Sequence, residues 1–185
     1  AFERGMSLHD AEIDAITSNN DEPTFENTIL AYDNAGQMLA QTELIFGMLC
    51  AAETNERMQA LQEQVMPLLS AHRDKIRLDE KLFARVKDVY DRRASLGLDA
   101  EQSRLLRKTY DAFVRSGALL DAGQKARLKE INGELSLTAV KFGNNILAEN
   151  NNFALELTAD DLEGLPSGVR DAAREKAQAM GKGDK

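Results

Sequence analysis

Between Leu128 and Ile146 the positions Leu128, Ile131, Leu135, Thr138, Phe142 and Ile146 succeed one another at steps of three or four. Only an α-helix brings such positions onto one face, because its turn holds about 3.6 residues whereas a strand repeats every second residue. The stripe predicts one long helix, and a stripe of that length has to be covered. We expect it to pack antiparallel against an earlier long helix of the same chain.

The upstream sequence reads as helix almost throughout, with boundaries marked by capping residues. A first helix is expected from about Phe2 to Thr17, burying Met6, Ile13 and Ile16 and stopping in the polar cluster Ser18 to Glu22. In Pro23-Thr24-Phe25-Glu26 the Thr24 hydroxyl is placed to cap free amides and Glu26 to meet the positive end of the dipole. Phe25, Ile29, Tyr32 and Leu39 then face inward, and the pattern continues through Leu44, Ile45, Met48 and Leu49, as one helix or as two meeting near Gly36. Asn55 caps a further helix with inward positions Met58, Leu61, Val65, Leu68, Leu69, His72 and Ile76. Its phase survives Pro67, which predicts a kink rather than an end. A helix from Asp79 buries Leu82, Phe83, Val86, Val89 and Tyr90 and ends before Gly97. Asp99 with Gln102, and Asp121 with Gln124, have the spacing of capping boxes. The helix between them carries Leu105, Leu106, Thr109, Tyr110 and Phe113 inward and stops at Gly117.

After Asn150 the period changes. Phe153, Leu155 and Leu157 alternate with Ala154, Glu156 and Thr158, which predicts a strand over 153–158, followed by a turn at 158–162 and a last helix from about Gly168 to Met180. Nothing remains to pair with one strand, so its partner is expected beyond Lys185, and the tail from Lys182 is expected to fray. The chain begins at Ala1 and closes on Gly181-Lys182-Gly183-Asp184-Lys185, so both ends are expected to be cuts in a longer protein. The expected fold is mainly α. It is a bundle-like antiparallel helical lobe over 1–150, with a strand-turn-helix extension over 151–185. Composition agrees, since 43% of residues are hydrophobic but only 5% are aromatic and there is no Trp, leaving aliphatic side chains to fill helix interfaces.

The net charge is −8, and residues 1–55 hold ten acidic side chains against the lone Arg4. Phosphate binding along a nucleic acid needs clustered Lys and Arg, so no nucleic-acid partner is expected. No apolar run reaches the length of a membrane span, and no membrane partner is expected. The acidic first third solvates outward helix faces or attracts cationic peptides. The single Cys50 lies in an apolar run and reads as a small buried group. His72, on the apolar stripe, and His9 read as packed side chains rather than metal ligands, because neither has a second histidine at helical spacing. Paired carboxylates Asp21/Glu22 and Asp160/Asp161 fall in turns, where capping is their ordinary use. No His-Glu-x-x-His, glycine-rich phosphate loop or nucleophile elbow is present. No catalytic, cofactor-binding or metal-ligating residue is therefore assigned in this chain.

One family is nonetheless recognisable. The stretches Ala1-Phe2-Glu3-Arg4-Gly5-Met6, Pro23-Thr24-Phe25-Glu26-Asn27-Thr28-Ile29 and Leu82-Phe83-Ala84-Arg85-Val86-Lys87 followed by Leu96-Gly97-Leu98-Asp99 resemble the N-terminal region of bacterial dipeptidyl carboxypeptidases. Phe113-Val114-Arg115-Ser116-Gly117-Ala118, Ile131-Asn132 with Glu134-Leu135-Ser136, and Asn145-Ile146-Leu147-Ala148-Glu149 continue the resemblance in order. The resemblance implies a relative of thimet oligopeptidase and oligopeptidase A, helical proteins of two lobes around a deep channel with zinc at its floor. It implies that the metal ligands and the catalytic glutamate lie downstream of Lys185. This chain would then be a non-catalytic lobe forming one wall of the channel, with the C-terminal catalytic lobe and oligopeptide substrates as its partners. A cytoplasmic location is expected, with a periplasmic one left open. The competing reading is a free-standing helical domain whose apolar faces serve a protein partner.

Overall fold

The computed structural model describes residues 1–182. The helices are α1 (Phe2–Thr17), a π-helical stretch Phe25–Leu30 running into the short α2 (Ala31–Asn34), α3 (Gln37–Ala52), α4 (Glu56–Arg77), α5 (Glu80–Asp91), α6 (Ala100–Arg115), α7 (Ala122–Asn152) and α8 (Ser167–Ala179). The chain divides into two compact units, Ala1–Asn145 and Ile146–Lys185, and the division falls within α7. No described helix is long and apolar enough to cross a membrane.

The caps read from sequence are in place. Asn55 and Asp79 accept from the amides of Met58 and Leu82 at 3.0 and 2.7 Å. Asp99 with Gln102, and Asp121 with Gln124, form reciprocal pairs of bonds between 2.8 and 3.2 Å. Thr24 forms a further reciprocal box, with Asn27 as its partner. Each such cap satisfies donors that a helix start leaves open, contributing about 1 kcal/mol. At Ala35 and Gly36 the chain breaks between α2 and α3, Gly36 taking φ 76°, so the apolar pattern there belongs to two helices. The helix α4 runs unbroken through Pro67.

The first unit has two apolar centres. Ile29, Leu82, Val86, Val89, Leu106 and Phe113 are sealed together where α5 and α6 close over the π-helical stretch. Leu39, Phe46, Val65 and Leu69 form the second, joining α3 to α4, with Phe2 and Met6 of α1 against it. The approach of α1 to α3 is close at Gly5, where an added Cβ would lie 3.1 Å from the Leu39 Cα.

Two sequence expectations about α3 and α7 change here. Leu39 of α3 is buried as expected, but Leu44, Ile45, Met48 and Leu49 face outward, and Phe46 is buried in their place. This helix is apolar nearly all round, so periodicity alone could not choose its inner face. The α7 stripe lacks the expected helical cover, since Ile131, Leu135 and Phe142 are 43%, 61% and 65% exposed. Among the described residues the first three turns of α7 are tied down by Lys125 to Glu80 at 3.1 Å, Asn132 Nδ2 to Asp74 at 2.8 Å and the Asn132 carbonyl accepting from Ser70 at 3.4 Å.

The second unit corrects the strand. Residues 153–158 have no regular secondary structure, and no strand is present among the described residues. Alternation places Phe153, Leu155 and Leu157 on one side, but a strand exists only when its amides and carbonyls pair, and among the described residues this segment has no pairing partner. The segment ends at Thr158, whose amide and hydroxyl donate to the Asp161 carboxylate at 2.8 and 2.7 Å, opening a 3-10 turn at Asp160–Leu162. Glu156 pairs with Lys182. Fraying is expected from Lys182; Lys182 itself is tied by its amide to the Ala177 carbonyl at 2.8 Å, and 183–185 lie outside the described residues.

The Gly5 approach yields a test. Gly5→Val drives two methyl groups into the Leu39 backbone and is expected to destabilise by about 2–3 kcal/mol, as overpacking does. Chemical denaturation of the full polypeptide carrying this chain, wild type against variant, measures it; an unchanged midpoint would show that α1 does not dock on α3 at this contact.

Candidate functional site

A cluster of titratable side chains links α1, α4 and α3. His72 of α4 is 7% exposed, and its Nε2 lies 3.2 Å from Nδ1 of His9 on α1. The rings meet edge to face, with centroids 5.1 Å apart. With both rings neutral, one nitrogen donates and the other accepts. If both were charged, two N–H groups would face each other. Asp10 Oδ1 stands 3.7 Å from His72 Nδ1 and 2.9 Å from Lys75 Nζ, while Glu43 pairs with Arg73. Glu12 accepts from the Gly36 amide at 2.7 Å, and the His9 ring covers Gly36 so closely that a Cβ there would lie 2.9 Å from its Cε1.

Burial pushes the pKa of both imidazoles below the ordinary 6.5. For His9 the neighbouring His72 adds to this, against Glu12, Asp10 and Glu43; for His72 the Asp10 and Glu43 carboxylates oppose it while Lys75 and Arg73 add to it. The sequence placed His72 correctly in the interior, whereas His9 is only half-buried, and it did not bring the two together, since 63 residues separate them. A buried imidazole on an apolar stripe needs a polar partner, and that requirement was the signal available.

Zinc takes three or four donors from His, Cys, Asp or Glu. His9 and His72 supply two nitrogens, and among the described residues no group of three or more such side chains is placed to hold a metal ion. The pair does not fit a zinc centre. Cys50 is half-buried in α3, and desolvation raises its thiol pKa. Among the acidic residues of the first third, Glu22 pairs with Arg92, while Asp14 and Asp21 are exposed. Asp161 serves as a cap, and its bonds from Thr158 hold its carboxyl below the usual range.

On the opposite electrostatic sign, Arg77 at the end of α4 and Arg107, Lys108 and Arg115 of α6 line a depression of about 520 Å³ with Asp111 and Ser116. Arg77 Nη1 donates to Ser116 Oγ at 3.2 Å across the two helices.

The histidine pair sets a pH dependence. The folded chain takes up protons on these rings less readily than the unfolded chain. Their contribution is thus fully present above about pH 6.5 and lost as pH falls from there toward the lowered native values. Denaturant midpoints are expected to fall on acidification through that window, and the fall is expected to be shallower in His72→Gln. An identical pH profile in the variant would count against the pair as its source.

No protein-family model matches the chain. Curated relatives do. It is 41% identical over 150 residues to the dipeptidyl carboxypeptidase of Escherichia coli K12, covering 81% of this chain and 22% of that protein. It is 37% identical over 184 residues to the dipeptidyl carboxypeptidase of Salmonella typhimurium LT2, covering 98% of this chain and 27% of that protein. A thimet-like oligopeptidase of Dictyostelium discoideum is 27% identical over 146 residues, covering 77% of this chain and 21% of that protein. The chain is homologous to these peptidases and spans about a quarter of the length of the two dipeptidyl carboxypeptidases.

Proposed function

We propose that this chain, as a homologue of the dipeptidyl carboxypeptidases, is the non-catalytic N-terminal lobe of a zinc-dependent peptidyl-dipeptidase or oligopeptidase. In this reading it forms one wall of the substrate channel and so restricts hydrolysis to short peptides. The zinc, which polarises the scissile carbonyl and activates water, belongs to residues outside this chain. The observation that carries the reading is the pair of uncovered apolar faces, Leu44, Ile45, Met48 and Leu49 on α3 and Ile131, Leu135 and Phe142 on α7. Contiguous exposed apolar surface marks an interaction face. Homology to a quarter of a much longer peptidase supplies the natural occupant, the C-terminal catalytic lobe of the same polypeptide. The wall itself is then steric: packed, capped helices admit a flexible peptide and exclude a folded protein.

The same faces would serve a free-standing interaction domain, and activity separates the two readings. The full polypeptide is assayed on blocked oligopeptides before and after zinc chelation. Chelator-sensitive release of C-terminal dipeptides is the expected result; a full polypeptide with no such activity would transfer the α3 and α7 faces to the interaction-domain reading. Leu135→Asp with Phe142→Asp is expected to lower that activity by loosening the lobe from its partner, while the helical content of the chain is retained. Reversing the exposed Asp14 and Asp21 to Lys is expected to alter the salt dependence of turnover of cationic peptides. Unchanged kinetics would remove an acidic channel mouth.

A further inference from the structure

We infer that the basic depression between the ends of α4 and α6 is a binding site for a small oligophosphate, a site independent of the peptidase reading. Four cations, Arg77, Arg107, Lys108 and Arg115, converge on a concavity of about 520 Å³ that contains one carboxylate, Asp111. Elsewhere in the same unit Arg73, Lys75, Lys87, Arg92, Lys125 and Arg127 each meet a carboxylate within 4 Å. None of the four depression cations has such an ion pair among the described residues. Cations elsewhere in the unit, such as Arg57, Lys81 and Lys129, also lack one, so what sets these four apart is that they converge on one concavity in a chain of net charge −8.

Helix architecture explains only part of this gathering. Arg77 and Arg115 close the last turns of α4 and α6, where the negative end of the dipole favours a cation. Arg107 and Lys108 stand in the middle of α6 and have no such use. The face continues past them. Arg107 also lines a second depression, of about 580 Å³, with Arg93, Arg104, Glu101 and Tyr90, where the Arg93 guanidinium lies 4.3 Å from the Tyr90 ring centroid. On α6 the residues 104, 107, 108, 111 and 115 thus form one stripe at helical spacing, cationic at every position except Asp111. Like charges so placed repel, for instance Arg104 and Lys108 at four residues' separation, and the repulsion is relieved by an anion.

The chemistry of the donors selects the anion. Three of the four are arginines, whose planar forks match the paired oxygens of phosphate. Four positive charges against one Asp111 leave three uncompensated, which a single carboxylate cannot neutralise but a di- or triphosphate can. Arg77 is held across the gap by its bond to Ser116, so one arm of the site is positioned before the ligand arrives. The volume lies within the range of about 300–1,000 Å³ usual for small-molecule sites.

Isothermal titration of the full polypeptide with inorganic tripolyphosphate, at low and at physiological salt, tests the site. One saturable site, weakened by added salt, is expected. Arg107→Gln with Lys108→Gln is expected to weaken binding about tenfold or more, as loss of charge-assisted bonds does. Arg57→Gln, at the far end of α4 and about 30 Å away by helical rise, is expected to leave it unchanged. Both altered side chains are exposed on α6, and circular dichroism verifies the fold. Tripolyphosphate is also expected to raise the unfolding temperature of the wild type and not of the double variant. No saturable binding, equal weakening by the Arg57 and the double variants, or tighter binding of an acidic peptide than of tripolyphosphate would each overturn the assignment.

Discussion

The side-chain carboxamide of Asn27 is where three parts of the chain meet. Its oxygen accepts from the Thr24 amide at 2.8 Å, the Thr28 hydroxyl at 2.8 Å and Arg85 Nη2 at 3.2 Å, while its nitrogen donates to the Glu22 carbonyl at 3.0 Å. Arg85 of α5 uses its other terminal nitrogen on the carbonyls of Asn19 and Asp21, at 2.8 and 3.2 Å. Arg92, which closes α5 two turns further on, reaches Glu22 and the Pro23 carbonyl. A loop between two helices has no ladder to satisfy its backbone, and here guanidinium groups of one helix take that role. The entry of the chain into the π-helical stretch is fixed by the same bonds. Phe25, Thr28 and Ile29 are then presented to Leu82, Val86 and Phe113, so the larger apolar centre depends on a polar knot at its rim.

Helices and their starts were legible because their signals are local. A cap needs a polar side chain and an amide three residues on, and Asn55, Asp79, Asp99 and Asp121 declare themselves without knowledge of the rest of the chain. Phase was legible where one face is polar, as on α5 and α6. It failed on α3, where apolar residues surround the helix. It also failed for 153–158, where alternation specifies a face but pairing must come from another segment. The Asn27–Arg85 knot and the His9–His72 contact join positions 58 and 63 residues apart, and no spacing rule reaches that far. The basic stripe of α6 was hidden by averaging, because a chain with a strong negative total reads as acidic until its cations are placed in space.

Charge is partly sorted in this unit. The acidic first third meets the histidine pair and the loop after α1, whereas Arg104, Arg107, Lys108 and Arg115 line up along α6. Apolar surface is sorted too, with one part sealed between α5, α6 and the π-helical stretch and another left on α3 and α7. A lobe built this way presents chemically distinct faces on a framework whose core is fixed by aliphatic packing.

The contact of His9 with Gly36 has a consequence for how such a chain can vary. The imidazole occupies the volume that a side chain at position 36 would need, and the positive φ of Gly36 disfavours any side chain there in its own right. Two barriers, one steric and one torsional, therefore guard the same position. A smaller residue at position 9 lifts only the first, and it also strips His72 of its partner. Among descendants of this sequence, positions 9, 36 and 72 are bound to drift as a linked trio, with substitutions at one constrained by the identities of the other two.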